Sequence, residues 1–268
     1  MRHVPLHTVI EEVFSDVDGA KTRQRLTRAH KKVTNMEDIV RHQHIRRNGP
    51  SKWSPIKDQL TAKLGNKCWY TEVELVGAHL TIDHYRPVCD YWWLAYDPEN
   101  YRVACPYANS PEHNKEHGCA GGKGEQFPLF APAQRAKSKE ELGIEAPVIL
   151  DPCNEEDCDL LAFQADGRPV LNPEKTDVPN AKERVETSKI LLNLDHPDFN
   201  SKREQLCRLI AEDVRTYEEL PETSESRIAI RNRLAGRLMA SAPFSTAARF
   251  YLRLHRDFDW VEELLVGA

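Results

Sequence analysis

The sequence has no apolar run near the roughly 20 residues that a membrane-spanning helix needs. Its first residues also lack an apolar segment of signal-peptide length followed by a small-residue cleavage site. These two absences predict a cytoplasmic protein without a membrane partner. Internal repeats and low-complexity tracts are missing as well, and the 40% hydrophobic and 29% charged residues are typical of a soluble globular chain.

The sequence has seven cysteines but no C-x-x-C pair. Because the number is odd and nothing indicates export, we expect free thiols rather than a disulfide framework. Cys68 and Cys105 each stand where such a pair would begin, but Thr71 and Ala108 replace the second sulfur. Two sulfurs are too few for a structural zinc ion, which takes four ligands. We therefore expect no structural zinc and interpret these cysteines as small buried hydrophobic residues.

The net charge of −5 conceals one strongly basic segment. Between Lys21 and Lys52 there are ten lysines and arginines but only two acidic residues. Such a segment forms either a solvated helix face or a surface that meets the phosphates of a nucleic acid. Within it, Arg46 and Arg47 are candidate phosphate contacts.

Both ends of the chain carry apolar residues at helical spacing. At the N-terminal end we predict a helix over 8–33 with a break at Asp18-Gly19, and a second helix over 36–47. A turn at 48–51 follows, and then a third helix that ends at Gly65. The C-terminal predictions are helices over 181–192, 200–220, 224–240 and 245–265. Between the two ends we expect a short helix at 138–142 and a hairpin around Asp166-Gly167.

The pattern changes in the middle of the chain, at Thr81–Asn114. A strand-like run from Ala78 to Ile82 leads into Asp83-His84, and residues 101–105 form a second short strand. Ser110 and Pro111 then suit the cap and the first position of a helix. Strand, strand and helix in this order predict a ββα finger. Neighbouring side chains on a strand point to opposite faces, so Asp83 and His84 would share a site only at a strand end.

The polar residues of this stretch suit the hydrolysis of a phosphodiester. His84 has the near-neutral pKa of a general base, and the carboxylate of Asp83 is a ligand for a hard divalent cation. The amide of Asn100 is not a base, but it would brace a loop or orient the His84 ring. Asn109 and His113 are four residues apart, so they share one face if the helix has begun by Asn109.

With these residues the stretch resembles the HNH nuclease family. The ββα-metal finger of that family has an acid or a His before the catalytic His, a central Asn, and an Asn or His ligand on the following helix. Flanking blocks extend the resemblance; they are KCWYTE (67–72), DHYRP (83–87), YWWLAYD (91–97), GGKG (121–124) with FPL (127–129), LDP (150–152) and DG (166–167). Over about residues 50–200 the chain looks like the HNH proteins of the Septu anti-phage defence system, which are PtuB-like and also occur in some retron operons. The missing second cysteines depart from the zinc knuckles of many HNH proteins.

The resemblance implies a metal-dependent endonuclease. Asp83 and Asn109 would be metal ligands, His84 the general base and Asn100 the central Asn, while His113 matches a further helix ligand of some members. The metal would be Mg²⁺, with Mn²⁺ as the alternative. The implied partners are nucleic acid, either DNA or RNA, and an ABC/SMC-type ATPase, joined in a retron by a reverse transcriptase with its msDNA.

Several of these residues also have a purely structural interpretation. Asn100 and Asn109 would serve equally as turn and cap residues, and His113 as a solvated helix residue. Arg86 and Lys123 stand in two of the flanking blocks and are further candidate contacts for nucleic acid, but an exposed lysine in a glycine-rich loop needs no ligand. A non-catalytic nucleic-acid-binding or adaptor subunit is the alternative function. A small-molecule phosphoesterase is disfavoured by the basic segment.

The predicted fold class is α+β and mostly helical, with the ββα finger flanked by helical segments. Three regions are expected. Residues 1–66 form a basic helical region, residues 67–175 a nuclease core with the finger and the hairpin, and residues 176–268 a C-terminal helical region.

Overall fold

The computed structural model describes residues 1–75, 77 and 79–267. The helices in this part of the chain are α1 Leu6–Phe14, α2 Val17–Thr34, α3 Asp38–Asn48, α4 Pro50–Trp53, α5 Ile56–Leu64, α6 Pro106–Asn109, α7 Pro111–Glu116, α8 Glu155–Asp159, α9 Ala181–Leu191, α10 Pro197–Glu219, α11 Glu225–Leu238, α12 Ser245–Arg253 and α13 Asp259–Val266. The strands are β1 Thr81–His84, β2 Tyr101–Ala104, β3 Leu161–Phe163 and β4 Pro169–Leu171. They form two antiparallel pairs, β1–β2 and β3–β4. About 54% of the described residues are helical, which confirms the predicted α+β, mostly helical class.

The first two helices meet at a break that lies earlier than predicted. α1 ends at Phe14, and Asp16 caps α2 by accepting a hydrogen bond from the backbone N–H of Gly19 at 2.6 Å. Gly19 is therefore inside α2, where a β-carbon would lie 1.7 Å from the carbonyl oxygen of Val13. The glycine that suggested a helix break instead allows α1 and α2 to pack closely.

The turn predicted at residues 48–51 is a junction between two helices. Gly49 has helical backbone angles between α3 and α4, and Pro50 occupies the first position of α4, which suits its fixed φ. A β-carbon on Gly49 would lie 2.3 Å from the indole ring of Trp53. The missing side chain therefore makes room for the Trp53 ring.

β1 and β2 pair with Asp83 opposite Arg102 and His84 opposite Tyr101. They correspond to the two predicted strands, but β1 begins at Thr81 and continues through His84, and Ala78 lies outside the described residues. The short length of β1 puts both Asp83 and His84 at its end.

Two short helices follow β2 instead of one. α6 ends at Asn109, Ser110 is extended with φ −110° and ψ 106°, and α7 begins at Pro111. The hydroxyl of Ser110 accepts a hydrogen bond from the backbone N–H of His113 at 3.1 Å, so Ser110 caps α7 as predicted. Because the chain is extended at Ser110, Asn109 and His113 do not lie on one continuous helix face.

The C-terminal part of the chain is helical, and α9, α10 and α11 follow the predicted helices closely. The helix predicted over 245–265 is divided into α12 and α13 by a turn at 254–258. The hairpin predicted around Asp166-Gly167 is β3–β4, in which Gly167 has a φ of 83°. The short helix predicted at 138–142 is wrong, since the only helical turn nearby is a 3₁₀ turn at Leu142–Ile144 within the described residues.

One hydrophobic core joins both ends of the chain to its middle, with Met1, Val103 and Leu264 among its buried members. A buried carboxylate also links residues from both ends of the chain. The buried carboxylate of Glu72 lies 2.9 Å from the N-terminal amine and accepts a hydrogen bond from Ser245 at 2.9 Å. None of the helices in the described residues combines the length and apolar character that crossing a membrane requires.

Candidate active site

Asp83 and His84 line a cleft of about 820 Å³ at the end of β1. One wall of the cleft comes from β1 and the α6–α7 junction, and another comes from α3 and Trp53 in the basic N-terminal segment. The lining residues with polar side chains are His42, Gln43, Arg46, Asp83, His84, Cys89, Asn109, Ser110, Glu112 and Glu125. The fold therefore brings the predicted Asp-His pair together with one predicted ligand and with part of the basic segment.

His84 is buried, and a hydrogen bond fixes its ring. Nε2–H donates to the carbonyl oxygen of Ala95 at 2.9 Å, which leaves Nδ1 of the neutral imidazole as the basic nitrogen. The rings of Trp53 and Tyr101 stand edge-on to the imidazole, with centroids 4.6 and 5.1 Å away. These contacts hold the imidazole in one orientation.

The electrostatic surroundings of His84 favour its neutral form. Burial lowers the pKa of His84 from its ordinary 6.5 to about 4, and the positive charge of Lys123 acts in the same direction. The hydrogen bond to Ala95 and the charge of Asp83 oppose this shift but do not cancel it. At neutral pH, Nδ1 is therefore available as a proton acceptor.

The carboxylate of Asp83 is also buried, and both of its oxygens have partners. Oδ2 accepts a hydrogen bond from the Tyr70 hydroxyl at 2.6 Å, and Oδ1 accepts one from the Lys123 ammonium at 3.0 Å. The Lys123 ammonium also donates to the carbonyl oxygen of His84 at 2.7 Å. An ionised carboxylate offers about four lone-pair positions, so these hydrogen bonds leave a lone pair on each oxygen of Asp83.

Lys123 reaches this position because the glycine-rich loop packs against the α6–α7 junction. Its backbone N–H donates to the carbonyl oxygen of Ala108 at 2.8 Å. Gly122, with a φ of +93°, comes so close to Pro111 that a β-carbon would lie 2.6 Å from the proline nitrogen. The side chain of Lys123 is 0% exposed. The phosphate contact expected of Lys123 from the sequence does not fit this position, because its charge is directed inward to Asp83.

Asn100 lies behind the turn that follows His84. Its Oδ1 accepts a hydrogen bond from the backbone N–H of Arg86, and its Nδ2 donates to the carbonyl oxygen of the same residue, both at 2.9 Å. Its own carbonyl oxygen accepts from the backbone N–H of Tyr85 at 2.9 Å. Asn100 therefore braces the chain directly after His84, and it is not among the residues that line the cleft.

Asn109 ends α6 and lines the same cleft as Asp83. Its Nδ2 donates to the hydroxyl of Thr81 at 3.5 Å, while its Oδ1 accepts no hydrogen bond from the described residues. A free amide oxygen and a carboxylate in one cleft are donors of the type that a hard divalent cation takes.

His113 is not part of this cleft. Its ring packs against the rings of Tyr107 and His117, with centroids 4.7 and 4.1 Å away. Desolvation and the neighbouring His117 lower the pKa of His113. The structure thus separates His113 from Asp83 and Asn109. The helix face that the sequence suggested for Asn109 and His113 together is not formed.

Of the other basic candidates, Arg46 lines the cleft and Arg47 does not. Arg86 forms an ion pair with Glu145 at 2.7 Å, and its guanidinium lies 5.4 Å from the ring centroid of Phe127. The charge of Arg86 is therefore neutralised inside the protein, away from the nucleic-acid contact that the sequence suggested.

Cys68 and Cys105, each of which lacks the second cysteine of a C-x-x-C pair, are neighbours in the fold. They are close enough for each thiol to shift the pKa of the other, and the Thr71 hydroxyl lies 3.8 Å from the Cys105 sulfur. All seven cysteines are free. Among residues 1–75, 77 and 79–267, no three His, Cys, Asp or Glu side chains are placed to hold a metal ion together. A cation held by Asp83 and Asn109 would therefore complete its shell with water or phosphate oxygens.

The sequence gives little or no indication that three further residues belong to the site. Ala95 acts through its carbonyl oxygen, so the identity of its side chain does not reveal its role. Trp53 has the spacing of an apolar residue in an amphipathic helix, and nothing in the sequence connects it to His84. Tyr70 does stand in the flanking KCWYTE block, and that position is the one signal that could have pointed to it.

Comparisons of the sequence with protein-family models and with curated proteins found no match. The resemblance to HNH nucleases therefore stays a prediction from the sequence motifs.

Proposed function

We propose that the protein is a metal-dependent HNH endonuclease that hydrolyses phosphodiester bonds in nucleic acid. The observation that carries this proposal is the cleft that His84, Asp83 and Asn109 line together with the basic helix α3. Within the described residues, Nδ1 of His84 and Oδ1 of Asn109 have no hydrogen-bond partner. A general base, oxygen ligands for a cation and a positively charged wall are what this reaction requires. The order β1, β2, α6 and α7 also agrees with the ββα finger of that family.

In this proposal His84 is the general base. Ala95 holds Nε2–H, so Nδ1 accepts a proton from a water molecule in the cleft while the water oxygen attacks the phosphorus. The bond from phosphorus to the leaving oxygen breaks, and that oxygen takes a proton from solvent. The carbonyl oxygen of Ala95 and the carboxylate of Asp83 stabilise the imidazolium that forms, since both favour the charged ring.

Asp83 and Asn109 would hold the cation, which we propose is Mg²⁺, with Mn²⁺ as the alternative. When bound, the cation supplies positive charge beside the phosphate and the leaving oxygen. The residues fit this role because the amide oxygen of Asn109 is free and the carboxylate of Asp83 retains lone pairs. Tyr70 and Lys123 fix the orientation of the carboxylate.

The N-terminal wall would bind the nucleic acid. Arg46 lines the cleft, and a guanidinium there suits bidentate contact with a phosphate. Arg46 belongs to the basic segment between Lys21 and Lys52, and the positive charge of that segment would attract the phosphate backbone of the substrate.

One observation favours the alternative function, a nucleic-acid-binding or adaptor subunit without catalysis. Lys123 already supplies a positive charge to Asp83, which a scaffold would use in place of a metal. The nuclease is the stronger proposal because a scaffold has no use for an unbonded Nδ1 of His84 in the same cleft as Asp83 and Asn109.

The family resemblance supports a role as the effector of an anti-phage defence system in the cytoplasm. The proposed partner is an ABC/SMC-type ATPase, joined by a reverse transcriptase with its msDNA in a retron setting. The helical regions at both ends would provide docking surfaces for such a partner.

The first test is incubation of the purified protein with supercoiled plasmid and with total tRNA, each in Mg²⁺ and in chelator. Cleavage of either substrate only in Mg²⁺ supports the nuclease and identifies its substrate. Retention of nucleic acid in chelator, with no cleavage in Mg²⁺, supports the adaptor.

A further inference from the structure

The ammonium of Lys123 is completely enclosed at the end of β1. It donates to Oδ1 of Asp83 at 3.0 Å, to the carbonyl oxygen of His84 at 2.7 Å and to the carbonyl oxygen of Gly124 at 3.4 Å. A lysine has three N–H donors, so each is engaged within the protein. Since the side chain is 0% exposed, the ammonium is not accessible to a phosphate from solvent.

This arrangement affects how a cation would bind to Asp83. The carboxylate is one of the two metal ligands of the proposed function, yet the Asp83–Lys123 pair has no net charge. A divalent cation that approaches Asp83 meets a fixed positive charge at a distance of a few ångströms. In a buried site with a low dielectric constant, repulsion over that distance is large.

The geometry points to Lys123 as a resident cation that keeps the affinity of the cleft for divalent metal low until a phosphate enters. This inference rests on the proposed function for the identity of the metal ligands. A phosphodiester beside Arg46 would bring negative charge into the cleft and offset the repulsion. Metal and nucleic acid therefore bind with positive coupling, each raising the affinity of the other by the same factor.

The test is a titration with Mn²⁺, followed by the electron paramagnetic resonance signal of the free ion, in the absence of nucleic acid. Lys123→Met keeps an unbranched apolar side chain, one heavy atom shorter, and removes the charge. We expect Lys123→Met to bind Mn²⁺ at least about tenfold more tightly than the wild type. In the variant, Asp83 has lost the positive charge of its partner, and the bound cation takes the place of that charge. The control is Lys115→Met, at an exposed position on α7, which leaves Mn²⁺ affinity unchanged. A folded Lys123→Met protein that binds Mn²⁺ no more tightly than the wild type overturns the inference.

A second measurement keeps the inference falsifiable if Lys123→Met does not fold. A short phosphorothioate oligonucleotide, which resists cleavage, should raise the Mn²⁺ affinity of the wild-type protein about tenfold or more. Equal Mn²⁺ affinity with and without the oligonucleotide overturns the inference.

These titrations separate the inference from the proposed nuclease activity. Tighter Mn²⁺ binding by Lys123→Met, in a protein that cleaves neither plasmid nor tRNA, supports the resident cation and contradicts the nuclease. Cleavage by a wild-type protein that already binds Mn²⁺ as tightly as Lys123→Met supports the nuclease and contradicts the resident cation. The double variant Asp83→Asn/Lys123→Met must lose the gained affinity, because otherwise the metal is bound elsewhere.

Discussion

The Nε2–H group of His84 donates a hydrogen bond to the carbonyl oxygen of Ala95 at 2.9 Å. The same oxygen accepts a hydrogen bond from the hydroxyl of Tyr101, the cross-strand neighbour of His84, at 3.0 Å. Ala95 directly follows a 3₁₀ turn at Trp92–Leu94. The apolar YWWLAYD block therefore orients the imidazole, and this contact determines which ring nitrogen is free for chemistry.

The lowered pKa of His84 predicts how stability depends on pH. Between its folded pKa of about 4 and its ordinary value of 6.5, the unfolded chain binds a proton that the folded chain does not bind. Stability should therefore fall as the pH is lowered through this window, by roughly 3 kcal/mol. His84→Gln cannot titrate, so urea denaturation between about pH 4 and pH 7 should show a shallower slope for this variant. Equal slopes for the two proteins would show that His84 is not buried as the neutral form.

The buried pair Asp83–Lys123 predicts a strong coupling in stability. Asp83→Asn and Lys123→Met each leave one charge buried without its partner, at a cost of about 3–5 kcal/mol. The double variant removes both charges and should lose clearly less than the sum of the two single losses. The control is the exposed pair Asp18–Lys21, for which each single change should cost less than about 1 kcal/mol. Additive losses at Asp83 and Lys123 in urea denaturation would mean that the pair is not formed.

The cleft predicts different roles for two neighbouring arginines. Arg46→Ala should weaken nucleic-acid binding and reduce the slope of log affinity against log salt by about 1, because one phosphate contact is lost. Arg47→Ala is the matched control, since Arg47 is exposed on the same helix but does not line the cleft. The measurement is fluorescence anisotropy with a labelled oligonucleotide at several salt concentrations. Indistinguishable slopes for the two variants would remove Arg46 from the binding surface.

The glycine-rich loop predicts a difference between two glycine substitutions. Gly122→Ala should lower the free energy of unfolding by about 2 kcal/mol or more, because the new methyl group would strain a φ of +93° and press against the backbone of Pro111. Gly118→Ala is the control, because Gly118 also has a positive φ but, apart from its chain neighbours, no described residue has a heavy atom within 4 Å of the place that the new methyl group would occupy. Its cost should be about 1 kcal/mol. Urea denaturation distinguishes the two, and similar losses would show that the loop is not seated against α7.

Local signals in the sequence were sufficient for much of the site. The short strand at Tyr101 and the capped helix start at Ser110-Pro111 depend on residues close together in the chain, and the structure contains both. The position of Asp83-His84 at a strand end also follows from local patterning. Local preference fails at Asn109, because the helix there stops at Asn109 and restarts at Pro111.

The contacts that give the site its electrostatic character are long-range, and no local pattern encodes them. Lys123 pairs with Asp83 across 40 positions in the sequence. From the sequence, a lysine between glycines suggested an exposed loop. Trp53, at the end of α4, packs edge-on against the ring of His84, a contact that depends on the tertiary fold.

In the proposed function, His84 is the general base of metal-dependent phosphodiester hydrolysis. The most direct test of this role compares the wild-type protein with His84→Ala on plasmid and tRNA, with Mg²⁺ and with chelator. His117→Ala, at an exposed histidine outside the cleft, is the control, and circular dichroism establishes that all three proteins are folded. We predict Mg²⁺-dependent cleavage by the wild type and by His117→Ala, and none by His84→Ala. A folded His84→Ala protein that cleaves at the wild-type rate would contradict the assignment.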